Sequence, residues 1–195
     1  MMKSLISLVT ISLLFFQCSI DRTVPTLNTA EQETLATFQN LPAENQVSIT
    51  SDKEPGEKLW LCLTLISKES GEPLRNQSIH LYHTNAEGEY QPSAINDEST
   101  ARLNGSAIAD DMGRVFVQTI LPGDYGSSAD NRHIHTTIAN AHPEAYDIHF
   151  KQYTGFMGNN FIEGSDQHFL ADLKQTEDGS QVAFVTIEVK NAKIE

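Results

Sequence analysis

Apolar and polar residues along this chain change rhythm near residue 57. Before it, polar residues dominate and no period persists. From Leu59 onward, six short segments carry the apolar content of strands: "LWLCLTLI", "SIHLYHT", "GRVFVQTI", "RHIHTTIA", "YDIHFKQY" and "QVAFVTIEVK". Turn-forming stretches such as "NAEGEY" and "LPGDYG" separate several of them. In "SIHLYHT", Ile79 and Leu81 share one face, and His80 and Tyr82 the other, because side chains alternate along a strand. "QVAFVTIEVK" is the longest alternating segment and closes the domain. Six strands with short connections predict an all-β fold, an antiparallel β-sandwich. Between Gly155 and Gly179 the pattern is mixed, and "DQHFLADLKQ" is compatible with a short helix.

The N-terminal third reads differently. Leu5 to Phe16 is an apolar run behind Lys3, too short to span a bilayer and of the length of a signal-peptide core. It ends at Cys18, as in bacterial lipoprotein signals, where the cysteine is acylated; Phe16 and Gln17 stand where small residues are usual. Residues 1–17 are therefore expected to be a signal peptide, Cys18 a lipidation site, and the protein an extracytoplasmic lipoprotein held to the membrane through that lipid. Residues 18–56 read as a tether. Within it, "NTAEQETLATFQNLP" has the elements of one short helix, with Thr29 as cap, Leu35 and Phe38 as apolar face and Pro42 as stop. The sandwich is expected over residues 57–195.

Composition narrows the function. The formal net charge is −13, and no Lys/Arg run is present, which argues against nucleic acid as a partner. With Cys18 assigned to lipid, Cys62 has no partner. Its setting in "LWLCLTLI" makes it a buried strand cysteine, so the domain relies on its core or on a metal.

Candidate chemistry centres on "NRHIHTT". His133 and His135 face the same side of a strand, with Cα atoms about 6.6 Å apart at about 3.3 Å per residue. From that spacing two imidazoles can reach one ion at about 2.0–2.1 Å. Ile134 would point into the core. Two exposed histidines on an edge strand would give the same pattern. Likewise Tyr125 in "PGDYG" fits a tyrosine corner, and Tyr90 in "GEYQP" fits packing over a turn.

The order of motifs resembles the intradiol ring-cleavage dioxygenases. Gly71, Pro73 and Leu74 are followed by Tyr82 and His83. Then come Ala86, Gly88 and Tyr90, then Asp110, Gly113, Thr119, Ile120, Pro122, Gly123 and Tyr125, and last His133, Ile134 and His135. The resemblance covers about residues 59–155. It implies a sandwich of that family's type and a mononuclear Fe(III) site whose ligands are Tyr90, Tyr125, His133 and His135. It also implies cleavage of a catechol-type aromatic diol between its hydroxylated carbons by O2. Phenolate oxygen suits a hard, highly charged ion, and a bound cation can hold a phenol ionised.

Three departures accompany the resemblance. Where the family has an arginine three residues before the first histidine, this chain has Asp130. The nearest candidate for that catalytic role is Arg132, which on a regular strand would point away from the histidine face. Seven residues separate Tyr125 from His133, fewer than the family often has, and no long helical domain precedes the sandwich. The alternative reading is a non-catalytic β-sandwich binding or assembly module of an envelope lipoprotein.

Overall fold

All six segments with strand character form strands. In a computed structural model, residues 22–126, 129–155 and 162–192 are described; Cys18 and the apolar leader lie outside them. In chain order the strands are β1 (Gln46–Ser48), β2 (Lys58–Ser67), β3 (Ser78–His83), β4 (Leu103–Ile108), β5 (Arg114–Ile120), β6 (His133–Ile138), β7 (Ala145–Phe150), β8 (His168–Ala171), β9 (Lys174–Gln175) and β10 (Gln181–Val189). They make two five-stranded sheets, ordered β1-β5-β2-β10-β9 and β4-β3-β6-β7-β8.

The sandwich is as expected, but its ladders are mixed. β1 with β5, β2 with β10, and β7 with β8 run parallel; the remaining pairs are antiparallel. A parallel partner needs a long crossover, and most of the chain lies between β2 and β10. The apolar period within one strand carries no information about that choice.

Between the sheets, Leu59, Leu61, Leu63 and Leu65 of β2 meet Ile79, Leu81, Ile134, Ile138 and Ile148 of the second sheet. The other face of the first sheet is also apolar, with Cys62, Phe116 and Val182 buried and Trp60 and Phe184 beside them. Helix α1 (Thr29–Gln39) covers this face with Leu35 and Phe38, flanked by Leu27 and Leu41. Residues 22–56 are thus folded onto the sandwich, where the sequence suggested a tether. The cap is Asn28, one residue earlier than expected. Its side chain accepts from the Glu31 amide at 2.9 Å, while the Glu31 carboxylate accepts from the Asn28 amide at 2.8 Å, a capping box. An isolated helix of this length is marginal in water, so the apolar outer face of the first sheet is what fixes it.

A second difference lies at residues 166–175. The expected helix is absent there, and the segment supplies β8 and β9. The open edge of β7 offers a ladder to β8, and Phe169 packs onto the core. Short apolar runs fit either period, and the free edge decides.

Two loops cross at one end of the second sheet, and glycines set how closely they approach. Gly88, at φ +84°, would place a Cβ 2.1 Å from the Asp124 carbonyl oxygen. A Cβ on Gly123 would stand 2.4 Å from the Gly88 nitrogen and 2.5 Å from the Ala86 oxygen. The Gly123 amide donates to the Asn85 carbonyl at 2.8 Å, and the Thr84 hydroxyl donates to the Gly123 carbonyl at 3.1 Å. The Asn85 side chain accepts from the amides of Glu87 and Glu89. Backbone lies on backbone, so the residues just beyond, Tyr90 and Tyr125, start from fixed positions.

Phe38→Ala is expected to cost about 3 kcal/mol, as for a buried aromatic, in urea-induced unfolding; a value near zero would show that α1 does not bear on the sheet. Gly123→Ala is expected to lose about 1–3 kcal/mol by overpacking and to change the tyrosine near-UV circular dichroism. An unchanged spectrum and midpoint would mean that the two loops do not interlock.

Candidate metal centre

The outer face of the second sheet carries a polar row running across four strands. Tyr82 pairs with His135, His135 with Asp147, and Asp147 with His168. In the adjoining row His133 pairs with His149. Directly paired residues share a face, so imidazoles, a carboxylate and a phenol collect on one side. Ile134 and Ile148, between them in sequence, are fully buried in the core. The His-x-His of β6 therefore faces as its alternation predicted.

Three of the four expected ligands converge. The Tyr90 hydroxyl lies 2.8 Å from His135 Nε2, and His133 Nε2 lies 3.1 Å from His135 Nε2. The protons follow from the other ring nitrogens. His133 Nδ1 is 3.1 Å from the Asn131 carbonyl oxygen, and His135 Nδ1 is 2.6 Å from Asp147 Oδ1. A carbonyl and a carboxylate only accept, so both Nδ1 atoms carry hydrogen. The two Nε2 atoms then face each other at 3.1 Å, with the Tyr90 hydroxyl beside them. A cation between them would take a lone pair from each ring. Donors about 2.1 Å from an ion stand about 3.0–3.4 Å from one another in octahedral or tetrahedral shells. The observed spacing fits that range.

Electrostatics supports the same assignment. Burial, reinforced by His135, holds His133 below the usual imidazole range and leaves it neutral. For Asp147, burial pushes the carboxyl upward, but the His135 hydrogen bond and the surrounding imidazoles outweigh it and hold the group low. Burial, together with the Glu98 carboxylate, pushes the Tyr90 phenol far above its ordinary value. Without a cation, Tyr90 stays protonated. The ring of Tyr82 stacks on His135 at a centroid distance of 4.8 Å and fixes its plane.

Tyr125 stands at the rim. Its ring is 5.4 Å from that of Tyr90 and 5.9 Å from that of His133. Its hydroxyl donates to Glu98 Oε1 at 3.0 Å, and that hydrogen bond raises the phenol pKa. The loops bring its ring to the site, while its oxygen is turned to the carboxylate.

Arg132 leaves the histidine face, as strand alternation demands. Its guanidinium lies 4.1 Å above the Tyr153 ring, and its Nε is 3.8 Å from Asp124 Oδ1. Asp130, at the position of the family's arginine, adopts φ +61° and pairs with Arg22.

Sequence reasoning left His149 outside the ligand set, yet its ring centroid is 5.2 Å from that of His133. It missed Asp147, Glu98 and His168. Asp147 had a usable signal, because "DIH" places it on the face of His149 two residues on. Glu98 and His168 had none, since one sits in a long connection and the other on a strand that alternation did not reveal.

A profile of the dioxygenase family matches residues 35–185. No curated protein matches the chain. Among solved structures, one similar chain is the dioxygenase domain of a dioxygenase carbohydrate-binding protein fusion from the cellulolytic bacterium Streptomyces sp. SirexAA-E. It has 16% identity and a TM-score of 0.58, over 78% of this chain and 93% of that one. An intradiol ring-cleavage dioxygenase from Tetranychus urticae is 16% identical with a TM-score of 0.56, over 80% and 92%. Catechol 1,2-dioxygenase from Pseudomonas arvilla C-1 is 20% identical with a TM-score of 0.57, over 76% of this chain and 57% of that one. With a family profile spanning α1 to β10 and a sandwich shared with ring-cleavage enzymes, the chain belongs to the dioxygenase family and has the intradiol fold.

Proposed function

We propose that the protein is a non-haem iron dioxygenase that cleaves a catechol-type diol between its hydroxylated carbons with O2. Tyr90, Tyr125, His133 and His135 would hold Fe(III). The observation that carries this reading is the pair of Nε2 atoms 3.1 Å apart with the Tyr90 hydroxyl beside them. Ferric iron, when bound, supplies the Lewis acidity that ionises phenols and presents the diol to O2 as an electron-rich ring. Both atoms of O2 enter the product, a dicarboxylic acid of the muconate type.

The chain's own groups do the positioning. Asn131 and Asp147 accept the Nδ1 protons, so each imidazole offers Nε2 in one tautomer; a carboxylate behind a ligating histidine also raises its basicity. Glu98 Oε1 already holds the Tyr125 proton in a hydrogen bond. It is placed to take that proton from the Tyr125 hydroxyl and to give it back to the same oxygen. Arg132, one residue before His133, would have to swing off the Tyr153 ring to meet charge developing on the substrate.

A second reading keeps the metal and loses turnover. It is favoured by the guanidinium of Arg132 lying against Tyr153 and by Asp130 at the family's arginine position.

Iron-reconstituted protein is expected to be red to burgundy from tyrosinate-to-iron charge transfer, and its spectrum to shift with catechol. Tyr125→Phe should shift or bleach the band; an unaltered spectrum removes Tyr125 from the ligand set, and colourless wild-type protein removes the iron site. Oxygen uptake with catechol, hydroxyquinol and protocatechuate then separates the two readings, since coloured protein without uptake supports the second. Arg132→Ala is expected to lower kcat about 100-fold with KM little changed, the scale of removing one charge-stabilising group. An unchanged kcat would leave Arg132 as a partner of Tyr153 only.

A further inference from the structure

We infer that Asp147, His149 and His168 form a second metal site, suited to a divalent first-row ion such as Zn2+ and joined to the first site through Asp147. It shares no ligand with the proposed iron site.

The three residues reach one another by the same register that builds the first site. Asp147 and His149 are two apart on β7 and face the same side. Parallel pairing of β8 sets His168 opposite Asp147. One ligand atom from each residue lies within 4.8 Å of the other two. Asp147 Oδ2 is already 3.7 Å from His168 Nε2, against about 3.3 Å between donors around tetrahedral zinc. The His149 and His168 ring centroids are 5.1 Å apart, so small side-chain rotations close the shell.

His149 is the independent sign of a ligand. It is 4% exposed, and neither of its ring nitrogens meets a hydrogen-bond partner among the described residues. An imidazole buried in this way forgoes about 1–3 kcal/mol for each unmet polar atom. Packing alone gives no reason to keep histidine there, because an apolar side chain would fill the space without that cost. An ion beside Asp147 and His168 gives one ring nitrogen its partner.

The donor set selects the ion. Two imidazoles and one carboxylate suit zinc and its first-row neighbours. Calcium and magnesium want oxygen alone, and the set of Asp147, His149 and His168 holds no phenolate for a ferric ion. Asp147 offers one oxygen to each side. Oδ1 accepts from His135 Nδ1–H, and Oδ2 faces His168. A metal on Oδ2 would draw charge from the carboxylate that orients His135, so the sites would sense each other.

The test uses the full chain with its first site dismantled, as the double variant His133→Ala, Tyr90→Phe. This background is expected to bind one equivalent of Co2+ with visible d–d bands, to release it to Zn2+, and to show a raised thermal midpoint with Zn2+. Adding His168→Gln, which keeps the side-chain volume, should weaken binding at least tenfold and abolish the thermal shift. Equal Co2+ affinity with and without His168→Gln, or no Co2+ binding in the double variant, overturns the site. If the double variant does not fold, His168→Gln in the otherwise unaltered chain should remove one of two bound Co2+ equivalents; an unchanged stoichiometry overturns the site. Iron-dependent colour, read separately in the His168→Gln single variant, is expected to persist, so loss of the iron reading and loss of this one are told apart.

Discussion

Cross-strand register is the constraint on which the polar face of the second sheet depends. Tyr82, His135, Asp147 and His168 come from four strands, yet they form one row because each stands opposite the next. A slip of one residue would turn a strand's polar members inward and its isoleucines outward. Ile79, Leu81, Ile134, Ile138 and Ile148, all fully buried, oppose any such slip. The hydrophobic core therefore does more than hold the sheets together. It selects the one alignment in which His135 stands between Tyr82 and Asp147. Tyr90 and Tyr125 are held by a different device, the close approach of two loop backbones at Gly88 and Gly123.

The strands of the sandwich were legible because alternation is a local property. His133 and His135 could be assigned to one face, and Ile134 to the core, from three consecutive letters. The mixed direction of the ladders was not legible, since each strand's pattern is the same whichever way its neighbour runs. Helix α1 was half legible. Leu35 and Phe38 marked its apolar side, but its stability depends on Cys62, Phe116 and Val182, which lie far along the chain. One clue was present: β2 is apolar on both faces, as strands covered on both sides are, and that continuous run required a covering element. Tyr90, His133 and His135 come together within hydrogen-bonding distance. Tyr125 arrives with its ring in place and its hydroxyl on Glu98, a partner from a connection with no periodic signal.

Charge around the site is arranged for a cation. Asp147 lies behind His135, Glu98 lies beyond Tyr125, and the guanidinium of Arg132 is turned to Tyr153. In a chain of net charge −13, such a face draws positive ions and stabilises them once bound. The same carboxylates raise the phenol pKa values, so the tyrosines remain neutral donors until an ion arrives. A substrate that binds as an anion would depend on the metal's own charge for attraction, with little help from the protein surface.

The double covering of β2 also bears on oxidation. Cys62 lies under α1 with 1% of its surface exposed, and burial pushes its thiol up to about 12. Oxidants attack the thiolate, and here that form is both scarce and sealed from solvent. The cluster that docks α1 onto the sheet thus shields the sulfur as well. The cysteine needs no disulfide to protect it, because the helix serves as its shield.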